Sequence, residues 1–591
     1  MAVKVILLDY VNMSDAGIIT GKKWALKESL PEDAINIFPG EDRVSSSLLF
    51  SRGIKSAADK ANFFSPDYEK DLHDPFLLRD MEKAATRIIK AIRGGERIVV
   101  FGDYDADGVC GATIFSDLFV QIGYANFRVY IPDRYKEGYG LSAVAVEAII
   151  KENPAVVITV DCGVTNFDEV ERLNSLGIDA IIIDHHIVPP RWPNAFAIID
   201  AKKETETYPF KFLCGAGMAF KTVKAILRKD NFDLPEGWEK WLLDVAAIAT
   251  VADMVPLLDE NRALVHFGLK VLRKTRRVGL TVLFKKLRID GEHLTAEDVA
   301  FSVAPYINAA SRMGNDTTSF ELLTTDSYEK AHWLVDRMVS TKTEQAHFVD
   351  LVLRDIRAKY PEGSPVPDVI IMGDASWHPG VLGITANRVL EMYSRPVFLW
   401  GQGEESETVK GSARSRGEIS VVEIMRNVQE GFFLDFGGHH AAGGFSLATD
   451  KAGQFEKAIA EAAKKAPRQP GAGEDMLADA ELAISDVGRE LLGGLDRFEP
   501  FGMENPKPVF WLKNLALKHV GVFGKDGLHL KLSFHNLSGG ELNAIAFWRG
   551  KDAKFFEQGE GLLVDLLANV EMSRFNGTEE LRLRAVDYKI N

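Results

Sequence analysis

Short apolar runs alternate with amphipathic segments through the first third of the chain. The runs predict buried strands at residues 98–101, 127–131, 156–160, 180–183 and 196–199. Apolar positions with helical spacing predict helices at residues 80–92, 109–119, 142–151 and 168–176. Strands that alternate with helices in this way form a parallel sheet with helices on its faces, so this region is predicted to be an α/β domain.

The pattern changes beyond this region. The strongly apolar residues 238–251 predict a buried helix, and residues 327–359 predict one long helix. A second α/β pattern runs from residue 369 to about 465, and a Pro/Gly-rich linker follows it. Short alternating segments between 509 and 588 predict five or six strands of a small barrel resembling an OB-fold. The predicted fold class is α/β: two α/β lobes, with a parallel-sheet core in the first, joined by a long helix and followed by a C-terminal β-barrel.

Composition limits the class of protein. A chain of 591 residues is too long for one core, and its 46% hydrophobic and 26% charged residues are typical of globular domains. No stretch approaches the roughly 20 apolar residues of a membrane span. Cys110, Cys162 and Cys214 lie far apart, which argues against a disulfide framework or a zinc site and predicts a cytoplasmic location. The formal net charge of −15 disfavours nucleic acid bound over the whole surface but allows a local basic groove.

Acidic and imidazole side chains stand where predicted elements end. Three strands and the apolar helix are followed by Asp103, Asp105, Asp107, Asp161, Asp184, His185, His186 and Asp253. Because parallel strands end at one edge of their sheet, these side chains are predicted to converge at the edge where open α/β sheets bind ligands. A solvated acidic turn would explain one such cluster. Three clusters favour a bound cation, because carboxylates are rarely buried unpaired.

Carboxylates with one or two imidazoles are suitable ligands for Mn²⁺ or Mg²⁺. Two such ions about 3.5–4 Å apart favour in-line attack on phosphorus, because they activate a water and neutralise charge on the phosphoryl oxygens. A carboxylate must bridge ions so close together, and Asp161, on a central strand, is the candidate. The predicted cofactors are therefore two Mn²⁺ or Mg²⁺ ions.

The motif residues resemble those of a known family. Asp105-Ala106-Asp107, Asp161, Asp184-His185-His186 and Asp253 resemble the four motifs of the DHH phosphoesterases. Further motifs resemble the branch of single-strand-specific 5′→3′ DNA exonucleases, at residues 134–141, 213–217, 308–312, 377–384 and 436–445. The resemblance extends from about Trp24 to the C-terminus.

The resemblance implies how the ligands are shared. Asp107, His185 and Asp253 would hold one ion, Asp105 and Asp103 the other, and Asp161 would bridge the two. His186 would face the scissile phosphate rather than a metal. The predicted catalytic residues are Asp105, Asp107, Asp161, His185, His186 and Asp253.

The resemblance also implies a division into domains. We predict an N-terminal segment packing on the first lobe (1–75), a DHH catalytic domain (76–265), a helical connector (266–360), a DHHA1-like substrate-binding domain (361–465), a linker (466–478) and an OB-like nucleic-acid-binding domain (479–591).

Candidate substrate-binding residues lie within or near the matched motifs. They are Arg134, Tyr135, Tyr139, Asn308, Arg312, Trp377, His378, Arg388, Ser412, Arg414, Gly437, Gly438 and His439. Arginines bind phosphates bidentately, glycines let backbone N–H groups approach an anion, and tyrosines stack on bases. Each group has a structural alternative: a solvated arginine, a plain glycine turn, or a core position for Trp377 and His378.

Four aromatic positions each allow two roles. Tyr306 stands where the resemblance implies a basic side chain, which puts one phosphate contact in question but no metal ligand. Phe547, Trp548 and Phe575 are either barrel core or a base-stacking face, and at least one is expected in the core.

These features predict a metal-dependent exonuclease that degrades single-stranded DNA from its 5′ end to mononucleotides, in DNA repair and recombination. Besides single-stranded DNA, the resemblance implies a helicase and a single-strand-binding protein as partners, and no membrane. One alternative is a phosphodiesterase of short oligonucleotides or cyclic dinucleotides, which would not need so long a chain. Another is a non-catalytic nucleic-acid-binding scaffold in replication, which would not need the complete set of metal ligands.

Overall fold

The computed structural model describes residues 23–27, 37–134, 137–138, 140–187, 191–314, 317–361, 363–402, 408–468, 475–524, 527–535, 540–557, 559–574 and 578–591. The chain divides into two compact units. The central unit contains residues 67–473 with 502–504, and the terminal unit contains residues up to 66 with 474–501 and 505–591. No helix in the described segments has the length and apolarity needed to cross a membrane.

Three short elements open the described chain: β1 (Trp24–Leu26), α1 (Arg43–Ser51) and α2 (Ala57–Phe64). The first lobe of the central unit then alternates helices and strands: α3 (Met81–Gly94), β2 (Ile98–Gly102), α4 (Ala106–Gln121), β3 (Phe127–Tyr130), α5 (Ala143–Ile150), β4 (Val156–Val160), α6 (Phe167–Asn174), β5 (Asp179–Ile183), β6 (Ala197–Ile199), α7 (Gly215–Lys229) and α8 (Leu243–Ala252). The helix predicted over 238–251 is divided, because a 3₁₀ turn (Trp238–Leu242) precedes α8.

The strands of the first lobe form a parallel sheet in the order β3-β2-β4-β5-β6. Its register aligns the last residues of four neighbouring strands: Gly102, Val160, Ile183 and Ile199. The ladder continues one residue further. The N–H groups of Asp103, Asp161 and Asp184 each donate to the last carbonyl of the neighbouring strand, at 3.1, 2.9 and 3.0 Å. The sheet therefore places these three aspartates side by side.

The alternation of side chains along the strands divides the core of this lobe in two. Ile98 and Val100 pack on one side of the sheet with α3, α4, α7 and α8. Val99 and Phe101 pack on the other side with α5 and α6. Both faces of the sheet are thus covered, which leaves its carboxyl edge as the place where polar side chains gather.

A helical connector follows. Its elements are α9 (Asp259–Leu272), α10 (Val278–Leu287), α11 (Ala296–Asp298), a π-helical turn (Val299–Val303), α12 (Ala304–Arg312), α13 (Thr318–Thr324) and α14 (Tyr328–Lys359). Leu334 and Met338 of α14 belong to the core of the first lobe, whereas Val349 and Leu353 belong to a core of the second. One helix therefore packs into both lobes, as the sequence predicts.

The second lobe contains β7 (Ile370–Asp374), α15 (Pro379–Tyr393), β8 (Val397–Gln402), β9 (Thr408–Arg414), α16 (Val421–Arg426), β10 (Asp435–Gly438), β11 (Ala442–Ala448) and α17 (Phe455–Lys465). Its sheet has the order β10-β11-β9-β8-β7, in which only β7 and β8 are parallel. The prediction of two α/β lobes, with a parallel-sheet core in the first, is confirmed.

The terminal unit contains the predicted barrel. Its elements are β12 (Met476–Ala478), β13 (Ala480–Glu481), α18 (Arg489–Asp496), β14 (Phe510–Phe523), β15 (His529–His535), β16 (Glu541–Ala546), β17 (Leu563–Ser573) and β18 (Glu580–Ile590). The sheet runs β13-β14-β15-β16-β18-β17, and pairing of β14 with β17 closes it. The first of the predicted barrel strands is β14, which is interrupted by a bulge between Leu512 and Leu515. Phe547 and Trp548 are exposed on the barrel, whereas Phe575 lies outside the described residues.

Two predicted boundaries are wrong. Only the end of the described N-terminal segment packs on the first lobe, through Tyr68 and Leu72. Leu48 of α1 and Phe63 of α2 share the barrel core with Phe498 and Phe510 instead. The linker predicted over 466–478 ends in β12, which pairs in parallel with β1. Sequence periodicity predicts which residues are buried but not against which domain they are buried.

We predict that Trp24→Ala destabilises the terminal unit. The Trp24 Nε1–H donates to Asp587 Oδ2 at 2.9 Å, and the ring meets Trp511 edge-on at 5.7 Å. Truncating a buried tryptophan costs about 3–5 kcal/mol. Native-state hydrogen exchange of amides in β17 and β18 should show that the free energy of unfolding of this unit falls by about that amount. Trp548→Ala, at a position 71% exposed, is the control, and an equal loss in both variants would contradict the prediction.

Candidate active site

The turn between β2 and α4 carries three candidate ligands. Asp105 caps α4, because its Oδ1 accepts the N–H groups of Asp107 and Gly108 at 2.9 and 3.3 Å. Asn308 of α12 secures the same helix end through its Oδ1, which accepts the Ala106 N–H at 2.9 Å. Asp103 is buried, and its Oδ1 has no hydrogen-bond partner among the described residues. Because such an oxygen is costly to bury, this turn is suited to a cationic ligand.

Asp107 lies on the N-terminus of a second helix. Its oxygens accept the N–H groups of Gly215 and Ala216, the first residues of α7, at 2.6 and 2.7 Å. The partial positive charge of a helix N-terminus stabilises a carboxylate there. The helix comes this close because residue 215 is glycine: a Cβ would lie 2.7 Å from Asp161 Cβ and 3.0 Å from Asp107 Oδ2. The motif at 213–217 thus positions two candidate ligands.

Asp161 stands among the other ligands at the end of β4. It is buried, and its φ of 64° lies in the left-handed region that few non-glycine residues adopt. His185 Nε2 lies 3.1 Å from Asp161 Oδ1, 3.6 Å from Asp107 Oδ2 and 3.7 Å from Asp253 Oδ2. A strained backbone persists where the surrounding structure fixes it, as happens at functional sites.

Asp184 orients the two histidines that follow it. Its Oδ1 lies 2.7 Å from His186 Nδ1 and accepts the N–H groups of His185 and His186 at 2.7 and 3.2 Å. Its Oδ2 accepts the Val164 N–H at 3.1 Å. A carboxylate bonded to one imidazole nitrogen fixes the ring and its tautomer. The sequence places Asp184 in the motif but does not reveal this orienting role.

The ligand atoms converge in groups that could each hold a metal ion. Asp107, His185 and Asp253 form one group, and Asp103, Asp105 and Asp161 form another, with the ligand atoms of a group within 4.8 Å of one another. Asp161 also forms a group with His185 and His186. These oxygen and imidazole donors, with the buried Asp103 Oδ1 among them, fit Mn²⁺ or Mg²⁺.

The electrostatics of the cluster favour a cation. Burial and neighbouring carboxylates raise the pKa values of Asp103 and Asp161, and they raise that of Asp107 to about 6 and that of Asp253 to about 8. Burial and the adjacent His186 lower the pKa of His185 to about 3, so its ring is neutral. Carboxylates that hold protons near neutral pH release them to a metal ion, and a neutral imidazole is already a ligand.

Asp200 is a fourth aspartate at the same edge. It follows Ile199, the last residue of β6, and aligns with Asp184. It is fully buried, its Oδ2 has no hydrogen-bond partner in the described part of the chain, and burial raises its pKa to about 7. Asp200 was not among the predicted site residues, although it follows the end of a parallel strand as Asp161 does.

A group of basic side chains lies where the long helix meets the second lobe. Burial and the charges of Arg312 and Arg388 lower the pKa of Lys342 on α14 to about 8. Burial and Arg312 also lower the pKa of Arg414 on β9. Gln345, one helical turn from Lys342, is buried, and its Nε2 has no partner among the residues described. This concentration of donors suits an anion, and sequence reasoning omitted both Lys342 and Gln345.

A second basic pair lies nearer to the carboxylates. The Arg134 guanidinium lies 4.8 Å from the centre of the Tyr104 ring, and its charge lowers the pKa of Asp103 against the effect of burial. Burial and Arg134 lower the pKa of Lys410 on β9. Lys410, Ser412 and Arg414 alternate along β9 and share one face of the strand. Positive charge from both lobes therefore extends from the carboxylates along β9.

Three predicted substrate-binding residues have structural roles. Trp377 is a core residue, 3% exposed, whose Nε1–H donates to Asp355 Oδ2 at 3.1 Å, so its predicted contact with substrate is wrong. His378 caps α15 by accepting the Gly380 N–H at 3.1 Å, and Asn308 holds the start of α4 as described above. The structural alternative for Trp377 therefore applies.

The glycine-rich motif forms the hairpin of β10 and β11. Gly438 has a φ of 133°, and a Cβ there would lie 2.4 Å from the Ala442 carbonyl oxygen, so the turn requires glycine. The His439 N–H donates to that carbonyl at 2.7 Å, and the His439 side chain is exposed at the tip. Gly437 is exposed in β10, whereas Tyr135 and Tyr139 lie outside the described residues.

Three models of known domain families match this chain, one for each lobe of the central unit and one for the barrel. Residues 97–250 match the DHH family, N-terminal domain, residues 367–465 match the DHHA1 domain, and residues 478–587 match the RecJ OB domain. A parallel sheet with aspartate and histidine motifs at its edge, followed by a DHHA1 domain, defines the class of DHH phosphoesterases.

Similarity over most of the chain identifies the branch. The chain is 32% identical over 552 residues to the single-stranded-DNA-specific exonuclease RecJ of Bacillus subtilis, covering 92% of this chain and 68% of that one. Identity to Escherichia coli RecJ is 30% over 556 residues, which cover 91% of this chain and 94% of that one. The structure of Thermus thermophilus RecJ in complex with Mn²⁺ matches with a TM-score of 0.77 at 29% identity. The match covers 96% of this chain and 79% of that one. The chain belongs to the RecJ family of single-stranded-DNA-specific exonucleases.

We predict that Gly215→Ala damages the metal centre. The added Cβ would collide with Asp161 and Asp107, and overpacking of this kind costs about 1–3 kcal/mol. Isothermal titration with Mn²⁺ should show affinity at least tenfold weaker. Gly217→Ala in the same helix is the control, because its Cβ would make an ordinary contact at 3.5 Å with Leu213. Equal affinities in the two variants would show that residue 215 does not position the ligands.

We predict that metal binding releases protons. At pH 7 Asp253, with a pKa of about 8, is mostly protonated, whereas Asp107, with a pKa of about 6, is mostly ionised. Saturation with Mn²⁺ should release at least one proton per chain at pH 7 and fewer at pH 9, because Asp253 and the ligands Asp103 and Asp161, whose pKa values are also raised, must be ionised to bind metal. The apparent affinity should therefore rise with pH up to about 8. Titrations in buffers of different ionisation enthalpy count the protons. Asp253→Asn should release fewer protons than the wild type, and a pH-independent count would contradict the assignment.

Proposed function

We propose that this chain hydrolyses single-stranded DNA from the 5′ end and releases 5′-mononucleotides. The observation that carries the proposal is the convergence of carboxylates and His185 at one sheet edge, in two groups that fit divalent cations. The relatives named single-stranded-DNA-specific exonucleases support the substrate. RecJ structures in complex with Mn²⁺ and with Mg²⁺ support the ions.

We assign Asp107, His185 and Asp253 to one ion, Asp103 and Asp105 to the other, and Asp161 to both. When bound, such a pair activates a water and neutralises charge on the phosphoryl oxygens. His186 is assigned to the scissile phosphate. Burial would lower the pKa of His186, but the hydrogen bond to Asp184 raises it, so the ring more readily carries a proton to donate to a phosphate oxygen.

The basic side chains are assigned to the phosphates of the strand. Arg312 and Arg388 lie near Lys342, and Arg414 lies near Arg312. Each guanidinium can bind a phosphate through two hydrogen bonds. Ser412 and Lys410 extend this row along β9, and the charge of Arg134 acts on Lys410. His439 and the hairpin glycines, with Tyr135 and Tyr139, complete the proposed contacts.

The biological setting remains a proposal. A role in DNA repair and recombination, a cytoplasmic location, and a helicase and a single-strand-binding protein as partners follow from the predicted substrate, because single strands in cells arise by unwinding and are coated. The barrel over residues 479–591 is assigned to nucleic-acid binding on the same ground.

We predict that Asp161→Asn abolishes hydrolysis and retains DNA binding. Asparagine tolerates the left-handed backbone at this position but removes the charge shared between the two ligand groups. Release of mononucleotides from 5′-labelled single strands with Mn²⁺ should fall at least a thousandfold, whereas anisotropy binding should change less than threefold.

Asp168→Asn, an exposed change at the start of α6, is the matched control and should hydrolyse normally. Substantial hydrolysis by Asp161→Asn would remove Asp161 from its bridging role. If the wild-type chain binds single strands but hydrolyses neither these, nor short oligonucleotides, nor cyclic dinucleotides, it is a scaffold.

A further inference from the structure

Thr159 forms a hydrogen bond across the turn that carries Asp161. It lies in β4 and is fully buried, and its hydroxyl donates to the Cys162 carbonyl at 2.8 Å. A strand rises about 3.3 Å per residue, so in a continuous strand a carbonyl three residues further on would lie about 10 Å away. The bond therefore forms only because the chain turns back at Asp161.

This turn has an unfavourable backbone that neighbouring contacts must hold. Asp161 has a φ of 64°, a left-handed conformation that a residue other than glycine keeps only when the surrounding structure fixes it. Two residues later, a Cβ at Gly163 would lie 2.8 Å from Thr159 Oγ1 and 3.0 Å from Ile182 Cγ2. The turn is thus packed directly against the Thr159 hydroxyl.

Two further hydrogen bonds join the ends of the turn to the neighbouring strand. At its start, the Asp161 N–H donates to the Ile183 carbonyl at 2.9 Å. At its end, the Val164 N–H donates to Oδ2 of Asp184, the residue that orients both histidines, at 3.1 Å. The bond from Thr159 holds the backbone between these two points, directly after Asp161.

The backbone of the turn decides where the Asp161 carboxylate lies. Asp161 Oδ1 lies 3.1 Å from His185 Nε2, and Asp161 belongs to two of the groups of side chains that could hold a metal ion. A functional site needs its groups within about 0.5 Å of the productive geometry. A ligand that two groups share is constrained from both sides, so a shift of its backbone weakens at least one of them.

We propose that Thr159 is a positioning residue of the metal centre, whose hydroxyl holds the turn in which Asp161 reaches both groups of ligands. The sharing of Asp161 between two ions rests on the proposed function. Thr159 acts through the backbone of the turn. In the sequence it is one residue of an apolar strand, which predicts burial, and only the folded turn shows what its hydroxyl contacts.

The test compares the Mn²⁺ affinity of full-length variants by isothermal titration without DNA. Thr159→Val removes the donor and places a methyl group against the Cys162 carbonyl, so Mn²⁺ should bind at least tenfold more weakly than to the wild type. Thr159→Ser keeps the hydroxyl and should bind Mn²⁺ within threefold of the wild type. Electron paramagnetic resonance should show coupled Mn²⁺ pairs in the wild type and in Thr159→Ser, and isolated ions in Thr159→Val.

Thr222→Val is the matched control. Thr222 is a fully buried threonine of α7 whose hydroxyl donates to the Met218 carbonyl at 2.9 Å, so the change removes a similar bond away from the turn. It should lower the melting temperature of the metal-free chain and leave Mn²⁺ affinity within threefold of the wild type. If Thr159→Val proves unfolded by thermal melting, Thr159→Ala, which adds no bulk, should show the same loss of affinity.

Wild-type Mn²⁺ affinity and coupled spectra in Thr159→Val and Thr159→Ala would overturn the proposal. An equal loss in Thr159→Ser would also overturn it, because the hydroxyl would then not be the group that matters, and so would an equal loss in Thr222→Val. Failure of the proposed function is distinguishable, since a wild-type chain that releases no mononucleotides can still bind Mn²⁺ with an affinity that depends on Thr159.

Discussion

Repulsion between buried carboxylates at the edge of the first sheet is the constraint on which the site depends. Parallel hydrogen bonding brings Asp103, Asp161 and Asp184 into one row, and α4 and α7 bring Asp107 against Asp161. Protein N–H groups offset part of the negative charge, most clearly at Asp107 and Asp184. The remaining repulsion, together with burial, raises the pKa values of Asp103, Asp107, Asp161 and Asp253, which is the condition of a site prepared for cations.

The second lobe supplies charge of the opposite sign. The long helix α14 packs into the cores of both lobes and carries Lys342 at the level where Arg312 and Arg414 meet. The central unit therefore contains both the carboxylates at the sheet edge and the basic side chains around Lys342. Secondary structure keeps these two groups apart, so they do not neutralise each other. An anionic strand with divalent cations would satisfy both groups, and this complementarity connects the fold to phosphodiester chemistry.

The terminal unit follows a different principle. Its barrel closes through β14 and β17, and the N-terminal helices complete the core of the same unit. Because the chain contributes to this unit from both of its ends, residues more than 400 positions apart in sequence are in contact, as Trp24 and Asp587 show.

Local sequence determined a large part of this protein. The period of apolar residues predicted the parallel sheet, the long helix and the barrel strands, because burial of side chains follows the repeat of each element. The motif aspartates and histidines were identifiable because parallel strands end at a common edge. Trp377 was ambiguous, since an indole in a motif suits a core as well as a ligand, and only its neighbours show that it belongs to the core.

Tertiary structure alone decided the remainder. The packing of α1 and α2 in the barrel, the orienting role of Asp184, and the meeting of Lys342 with arginines from other elements depend on contacts between distant segments. Hydrophobic burial is not directional, and a charge is affected by every group near it in space. A linear sequence therefore shows that Leu48 is apolar and Lys342 charged, but only the folded chain determines what each of them contacts.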